Sequence, residues 1–156
     1  MKKKIKVNGK FYYRDNAGNL IHEMYVKEDP IKVRTPKDVL PALQAIRCEK
    51  QEHFMVVTLD GNNQVIKSHL ITKGLANQSQ IHPREVFFAA ISDHAVSIVI
   101  SHNHPSGNME PSEADLLATR RLVEAGKTIG IPVLDHLIVS ALSFKSLREI
   151  YPAYFG

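Results

Sequence analysis

The spacing of apolar residues changes period several times along the chain, and each change marks an element. Ile5 to Tyr13 and Leu20 to Val26 alternate around the turn-rich Asp15-Asn16-Ala17-Gly18-Asn19, which predicts a β-hairpin. Thr35-Pro36 reads as an N-cap with proline at the first helical position. A helix to about Cys48 follows, with Val39, Leu43 and Ile46 on one face. His53 to Leu59 is predicted as a strand. Asp60-Gly61-Asn62-Asn63 turns the chain, and Gln64 to Thr72 returns as its partner. Lys73-Gly74 breaks the sheet. A second helix begins at His82-Pro83 with Val86, Phe87, Ala90 and Ile91 as its buried stripe. Ala95 to Ser101 is an apolar, β-branched run suited to a strand covered on both faces. Ser112 opens a third helix that ends near Gly126 or Gly130. Pro132 to Ser140 is another buried strand, and Ser143 to Ile150 a short helix.

Interleaved helices and strands predict an α/β fold, a sheet flanked by helices over one core. Residues 1–34 form a short basic hairpin or arm, and residues 35–156 the main domain. With 156 residues and 44% hydrophobic side chains, the chain has enough apolar mass for such a core. No apolar run approaches the ~18 residues of a membrane span, and the lysine-rich start leads into polar sequence rather than a secretory signal. Neither a collagen-like nor a low-complexity reading fits eight Gly and eight Pro. The single Cys48 excludes an internal disulfide framework and a multi-cysteine zinc site, and fits a cytoplasmic protein.

Charge is unevenly spread. Residues 1–50 carry twelve Lys and Arg against six Asp and Glu, whereas residues 51–156 carry eight against ten. The basic segment could meet DNA or another polyanion. The simpler reading is a solvated lysine tail, since no aromatic-rich RNA signature or arginine cluster accompanies it.

The chemistry lies between Ser101 and Asp115. There the pattern is His102-x-His104, seven residues, then Ser112-x-x-Asp115. Side chains two apart on a strand point the same way, so both imidazoles can aim at one point. Pro105 cannot extend a ladder, so the chain turns away directly after His104. The loop returns at a helix start whose third residue is Asp115, and Ser112-x-x-Asp115 also has the form of a capping box. The two readings are compatible, because a cap that fixes the helix start also aims Asp115. Two histidines and one carboxylate, with a fourth position left for water, form the ligand set of a catalytic zinc.

This stretch resembles the JAMM motif of the JAB/MPN metalloprotease family, in its RadC-like branch. His102-Asn103-His104-Pro105-Ser106-Gly107, Pro111-Ser112-x-x-Asp115, Val133-Leu134-Asp135-His136 and His82-Pro83-Arg84-Glu85-Val86-Phe87 carry the likeness, which runs from roughly Thr35 to Ser140. The resemblance implies a mixed β-sheet flanked by helices, of the cytidine-deaminase-like JAB/MPN type, holding one Zn2+ through His102, His104 and Asp115. It implies Ser112 as the oxyanion-stabilising residue and an upstream glutamate as general base. Glu52, at the head of the His53–Leu59 strand, is favoured if that strand lies antiparallel beside the metal strand. Glu85 is the alternative, although an acid in a first helical turn is also explained by the helix dipole. Glu110 and Glu113 are expected to face solvent.

Metal-assisted hydrolysis of a peptide or isopeptide bond in a peptide or protein substrate is the activity the resemblance implies. The alternative is a RadC-like, DNA-repair-associated protein that acts on or binds DNA. Two-metal nucleases want several carboxylates around paired ions, and this motif offers one. A deaminase is excluded, because its Pro-Cys-x-x-Cys element is absent. Asp135 or His136 is expected either to orient a metal ligand or to be hydrogen-bonded in the core. His22, His53, His69 and His94 read as surface or half-buried side chains, and His82 as a helix-entry residue. Tyr151, Tyr154 and Phe155 read as packing, and the Lys73–Ile81 loop as a candidate lid.

Overall fold

The computed structural model describes residues 5–7, 10–14, 20–22, 29–74 and 81–156, the first three segments by backbone alone. Those three are strands β1 (Ile5–Val7), β2 (Lys10–Arg14) and β3 (Leu20–His22), joined as an antiparallel meander. The predicted first strand is therefore two strands, with Val7 paired to Lys10. The sequence carries Asn8-Gly9 between them, the strongest short hairpin signal, which alternation alone passes over. The expected turn at 15–19, the rest of the expected strand at 23–26 and the candidate lid at 75–80 lie outside the described residues.

The main sheet has five strands in the order β5-β4-β6-β7-β8: β4 His53–Leu59, β5 Val65–Lys73, β6 Ser97–Asn103, β7 Val133–Val139 and β8 Phe144–Ser146. Only β6 and β7 run parallel; the other neighbours are antiparallel. A parallel pair needs a crossover. It is supplied by α3 (Glu113–Ile129). The expected α/β architecture with a mixed, helix-flanked sheet is what the chain adopts.

All seven residues of β4 and of β6 are buried, because the central strands are covered on both faces. Phe54, Val56, Ile98 and Ile100 face α2 (Pro83–Ser92) and α3. Met55, Val57, Leu59 and Val99 face Val39, Leu43 and Ile46 on the other side. That second layer departs from the single helix expected over 36–48. Residues Pro36–Leu43 form a 3-10 helix, followed by one turn of α-helix, α1 (Gln44–Arg47). Pro41 lies inside this segment and removes a backbone donor where an α-helix would need it.

Two further boundaries and one buried position differ from expectation. Strand β6 runs two residues beyond Ser101, which takes His102 and Asn103 into the sheet. The segment expected to be helix from Ser143 begins as edge strand β8 and becomes helix only at α4 (Leu147–Ile150). Ile91 is 55% exposed, and Ala89 takes its place in the buried stripe of α2.

Helix α3 positions the site. Its buried face is Asp115, Ala118, Thr119, Leu122, Val123 and Gly126, a stripe of three- and four-residue steps. Gly130 ends it in the left-handed conformation at φ 84°. Gly126 lets the last turns press against the start of β7. A Cβ there would stand 2.6 Å from the Ile131 carbonyl oxygen. At the C-terminus, Tyr151 stacks on Tyr154, Arg120 lies over the Tyr154 ring, and Phe155 packs against the core, as expected of packing residues.

Candidate metal centre

His102 is wholly buried at the end of β6, and His104 follows one residue beyond the strand. Asp115 reaches the same point from the first turn of α3. Its direction is fixed by a reciprocal cap: the Ser112 Oγ accepts from the Asp115 N–H at 3.1 Å, and Asp115 Oδ2 accepts from the Ser112 N–H at 2.8 Å. One ligand atom from each of His102, His104 and Asp115 lies within 4.8 Å of the others. The two Nε2 atoms are 2.8 Å apart, with Asp115 Oδ1 3.3 Å from that of His102 and Oδ2 3.4 Å from that of His104. Tetrahedral zinc with bonds near 2.0–2.1 Å sets its ligand atoms about 3.3 Å apart, so each carboxylate oxygen stands at that spacing from one imidazole, while the two rings would have to part slightly to admit the ion.

The hydrogen-bond partners decide where the ring protons sit. The Thr119 hydroxyl donates to the Asp115 carbonyl oxygen at 2.6 Å, so its oxygen accepts from His136 Nδ1, also at 2.6 Å. His136 Nε2 then accepts from His102 Nδ1 at 2.7 Å. His104 Nδ1 has the Asn108 carbonyl oxygen at 2.6 Å and must also donate. With both rings neutral, each Nε2 is thereby left as a lone pair, pointing with a carboxylate into one space. Three acceptors converging with no donor among them suit a cation, and the donor set of two imidazoles and one carboxylate suits zinc.

Charge reinforces this arrangement. Burial alone would raise the Asp115 carboxyl, yet its interactions with the His102 and His104 rings, which act when a ring carries a proton at Nε2, outweigh it and hold the group far below the usual carboxylate range. His104 is shifted upward, chiefly by its bond to Asp115 and against burial, with a smaller contribution from the charge of Glu52. His136 is driven well below its ordinary value by complete burial and stays neutral. Phe54 walls the rings, stacked against His102 and edge-on to His136.

Glu52 lies beside this cluster. Strands β4 and β6 are antiparallel with Phe54 opposite His102, and the same register continued by two residues sets Glu52 across from His104. Asn103 fixes that segment. Its side chain points away from the metal face, accepts from the His53 N–H at 2.6 Å, and donates to the carbonyls of Gln51 and Glu49 at 2.9 and 3.3 Å. Gly74 N–H closes on the Glu52 carbonyl at 2.7 Å. Glu85 is instead an exposed residue of α2, sharing a surface hollow with Leu70, Ile71, Arg84 and Phe88 that contains none of the clustered ligands. Glu113 faces solvent, as does Glu110, which pairs with Lys145.

Strand alternation separates Asp135 from His136. His136 faces the metal cluster, whereas Asp135 turns to the other side and accepts from the Ser146 hydroxyl at 2.6 Å and from the Arg148 N–H. Burial raises the Asp135 carboxyl despite those bonds. His69 is half-buried and bonded to Asp93, His82 is an exposed helix-entry residue, and His94 is exposed with φ 54°. His53 is buried rather than at or near the surface, with Nδ1 on the Gln51 carbonyl. The side chain of His22 lies outside the described residues. Thr119 and Asn103 escape the sequence reading, although their positions are informative. Thr119 is four residues after Asp115 on one helix, hence on the same face, and Asn103 sits between two ligands on a strand, hence on the opposite face.

A groove of about 440 Å³ opens beside His104, lined by Arg47, Cys48, Pro105, Ser140 and the fully exposed Leu142 among others. No helix among the described residues is long and apolar enough to cross a membrane.

Comparison with known proteins accords with this geometry. A UPF0758 protein of Methanospirillum hungatei is 46% identical over 126 residues, covering 80% of this chain and 56% of its own length. One from Staphylococcus haemolyticus is 43% identical over 136 residues, covering 85% and 60%. One from Clostridium perfringens is 46% identical over 120 residues, covering 76% and 53%. The chain thus spans a little over half the length of these curated relatives. The profile of the RadC-like JAB domain matches residues 33–151, which takes in every element of the main sheet and all the clustered ligands; the chain belongs to the RadC-like JAB domain family.

Proposed function

We propose that this chain is a zinc-dependent hydrolase of the JAMM type that cleaves a peptide or isopeptide bond. The observation that carries the reading is the convergence of two bare Nε2 lone pairs and the Asp115 carboxylate. A zinc ion held by His102, His104 and Asp115 would supply a Lewis acid and a water made acidic near neutral pH. Glu52, across from His104, takes the proton of the attacking water and later returns it to the leaving amine. The oxygen of Ser112 already accepts from the Asp115 N–H, which leaves its hydroxyl hydrogen available to the oxyanion that develops on the substrate. The groove beside His104 is the bed for the substrate chain. The exposed thiol of Cys48 suits a reducing cytoplasm.

A parallel screen of peptide, isopeptide and nucleic-acid substrates against zinc-loaded protein and its Glu52→Gln variant tests this reading. Cleavage of an amide substrate that disappears in Glu52→Gln supports it. Cleavage of nucleic acid alone replaces it with the DNA-directed alternative.

A further inference from the structure

His136 and Thr119 have no place in the hydrolytic chemistry just described, yet both are fully buried and each makes two short polar contacts. Their bonds form a circuit. It starts at the backbone carbonyl of Asp115 on α3, passes through the Thr119 hydroxyl to His136 on β7, and ends at Nδ1 of His102 on β6. Every link has a fixed sense, because the carbonyl can only accept. One ligand's backbone thereby dictates the proton position on another ligand's ring. We propose that Thr119 and His136 are positioning residues that hold the proton of His102 on Nδ1, keep Nε2 open for a divalent metal, and brace His102 against the helix that carries Asp115. This inference rests on the reading of the cluster as a metal site.

Without the Thr119 hydroxyl, His136 Nδ1–H loses its acceptor, and the ring relieves this by moving its proton to Nε2. His102 Nδ1 then faces a donor, its own proton shifts to Nε2, and the atom required by the metal is blocked. Partners at this remove from a metal typically change affinity by about 10–100-fold.

The test is zinc affinity of the metal-free protein, measured by competition with a chromophoric chelator, alongside the visible spectrum of the Co2+ form. Thr119→Val keeps the shape and removes the hydroxyl, and should weaken zinc by about 10–100-fold and alter the cobalt bands. Thr119→Ser restores the donor and should recover most of the affinity and the native spectrum. His136→Phe fills the same space without nitrogens and should reproduce the loss, which keeps the test available should one variant fail to fold. Circular dichroism of each metal-free variant reports folding separately. Native affinity in a folded Thr119→Val or His136→Phe, with loss in His104→Ala, overturns the positioning role. Native affinity in His104→Ala as well overturns the metal site itself.

Discussion

Ser112 has two separable duties, and two substitutions pull them apart. As N-cap of α3, its oxygen accepts from the Asp115 N–H at 3.1 Å. As proposed oxyanion donor, it contributes the hydrogen of the same hydroxyl. Ser112→Ala loses both. Removing a serine cap costs about 1 kcal/mol, and for a chain of this size each kcal/mol lowers the melting temperature by about 2–4 °C. Loss of one oxyanion donor lowers turnover by about 10²–10³-fold. Ser112→Gly loses only the second duty, because glycine caps a helix within a few tenths of a kcal/mol of serine. The backbone N–H that steadies Asp115 Oδ2 survives in both variants, so metal content should hold. Thermal melts, metal analysis and steady-state kinetics on an amide substrate found by screening would read the three quantities. Expected are a lowered melting temperature in alanine alone, and collapsed turnover in both. Native turnover in Ser112→Gly refutes the oxyanion role, and so does turnover that merely follows stability.

Other expectations follow from neighbouring geometry. Glu52→Gln should retain zinc and lose turnover by about 10²–10⁴-fold, while Glu85→Gln, exposed on α2, should leave both unchanged; the reverse pattern in kinetics would move the base to Glu85. Asp115 raises the pKa of His104, so in metal-free protein a proton stays on the imidazole to a higher pH than in an ordinary histidine. Zinc must displace that proton. Affinity in chelator competition should therefore fall as pH drops through the raised value and level off above it. The stability of the metal-free form has the opposite sign. The His104 contribution is complete below about pH 6.5 and is lost as pH rises through the folded-state value, which metal-free melts across that window would detect. Gly126→Ala would ordinarily gain about 1 kcal/mol of helix propensity. Here the new Cβ meets backbone at 2.6 Å, so denaturant titration should show a net loss of about 1–2 kcal/mol, and an unchanged or raised midpoint would refute the close approach.

Much of this is legible because the informative residues lie close together in the sequence. His102, His104, Ser112 and Asp115 fall within one crossover from β6 to α3, where strand and helix periods are simple and proline marks the bend. Glu52 required a further assumption about which strands are neighbours, and the antiparallel β4–β6 pairing meets it. Where the reading failed, a local signal competed with periodicity. Pro41 turned an apparent helix into a 3-10 segment, and an apparent strand is divided into β1 and β2 on either side of the sequence Asn8-Gly9. Residues 144–146 became an edge strand because β7 offered an open side, which no window of sequence displays. Choosing between Asp135 and His136 needed only the parity of β7, but parity has meaning only once the metal face of the sheet is known. Thr119 was hidden for another reason: its role depends on a hydrogen's direction, and residue type alone does not specify that.

The side chain of Asn103 has a mechanical consequence. By gripping Glu49, Gln51 and His53 from the middle of the His102–His104 pair, it bolts the acid and the metal ligands to one strand end. Their spacing should therefore survive breathing of α2, which can shift without stretching that joint. The His53 amide, held by the joint rather than by a ladder at that position, becomes its gauge: its hydrogen exchange should slow to the pace of the sheet centre, although it sits at the very start of β4.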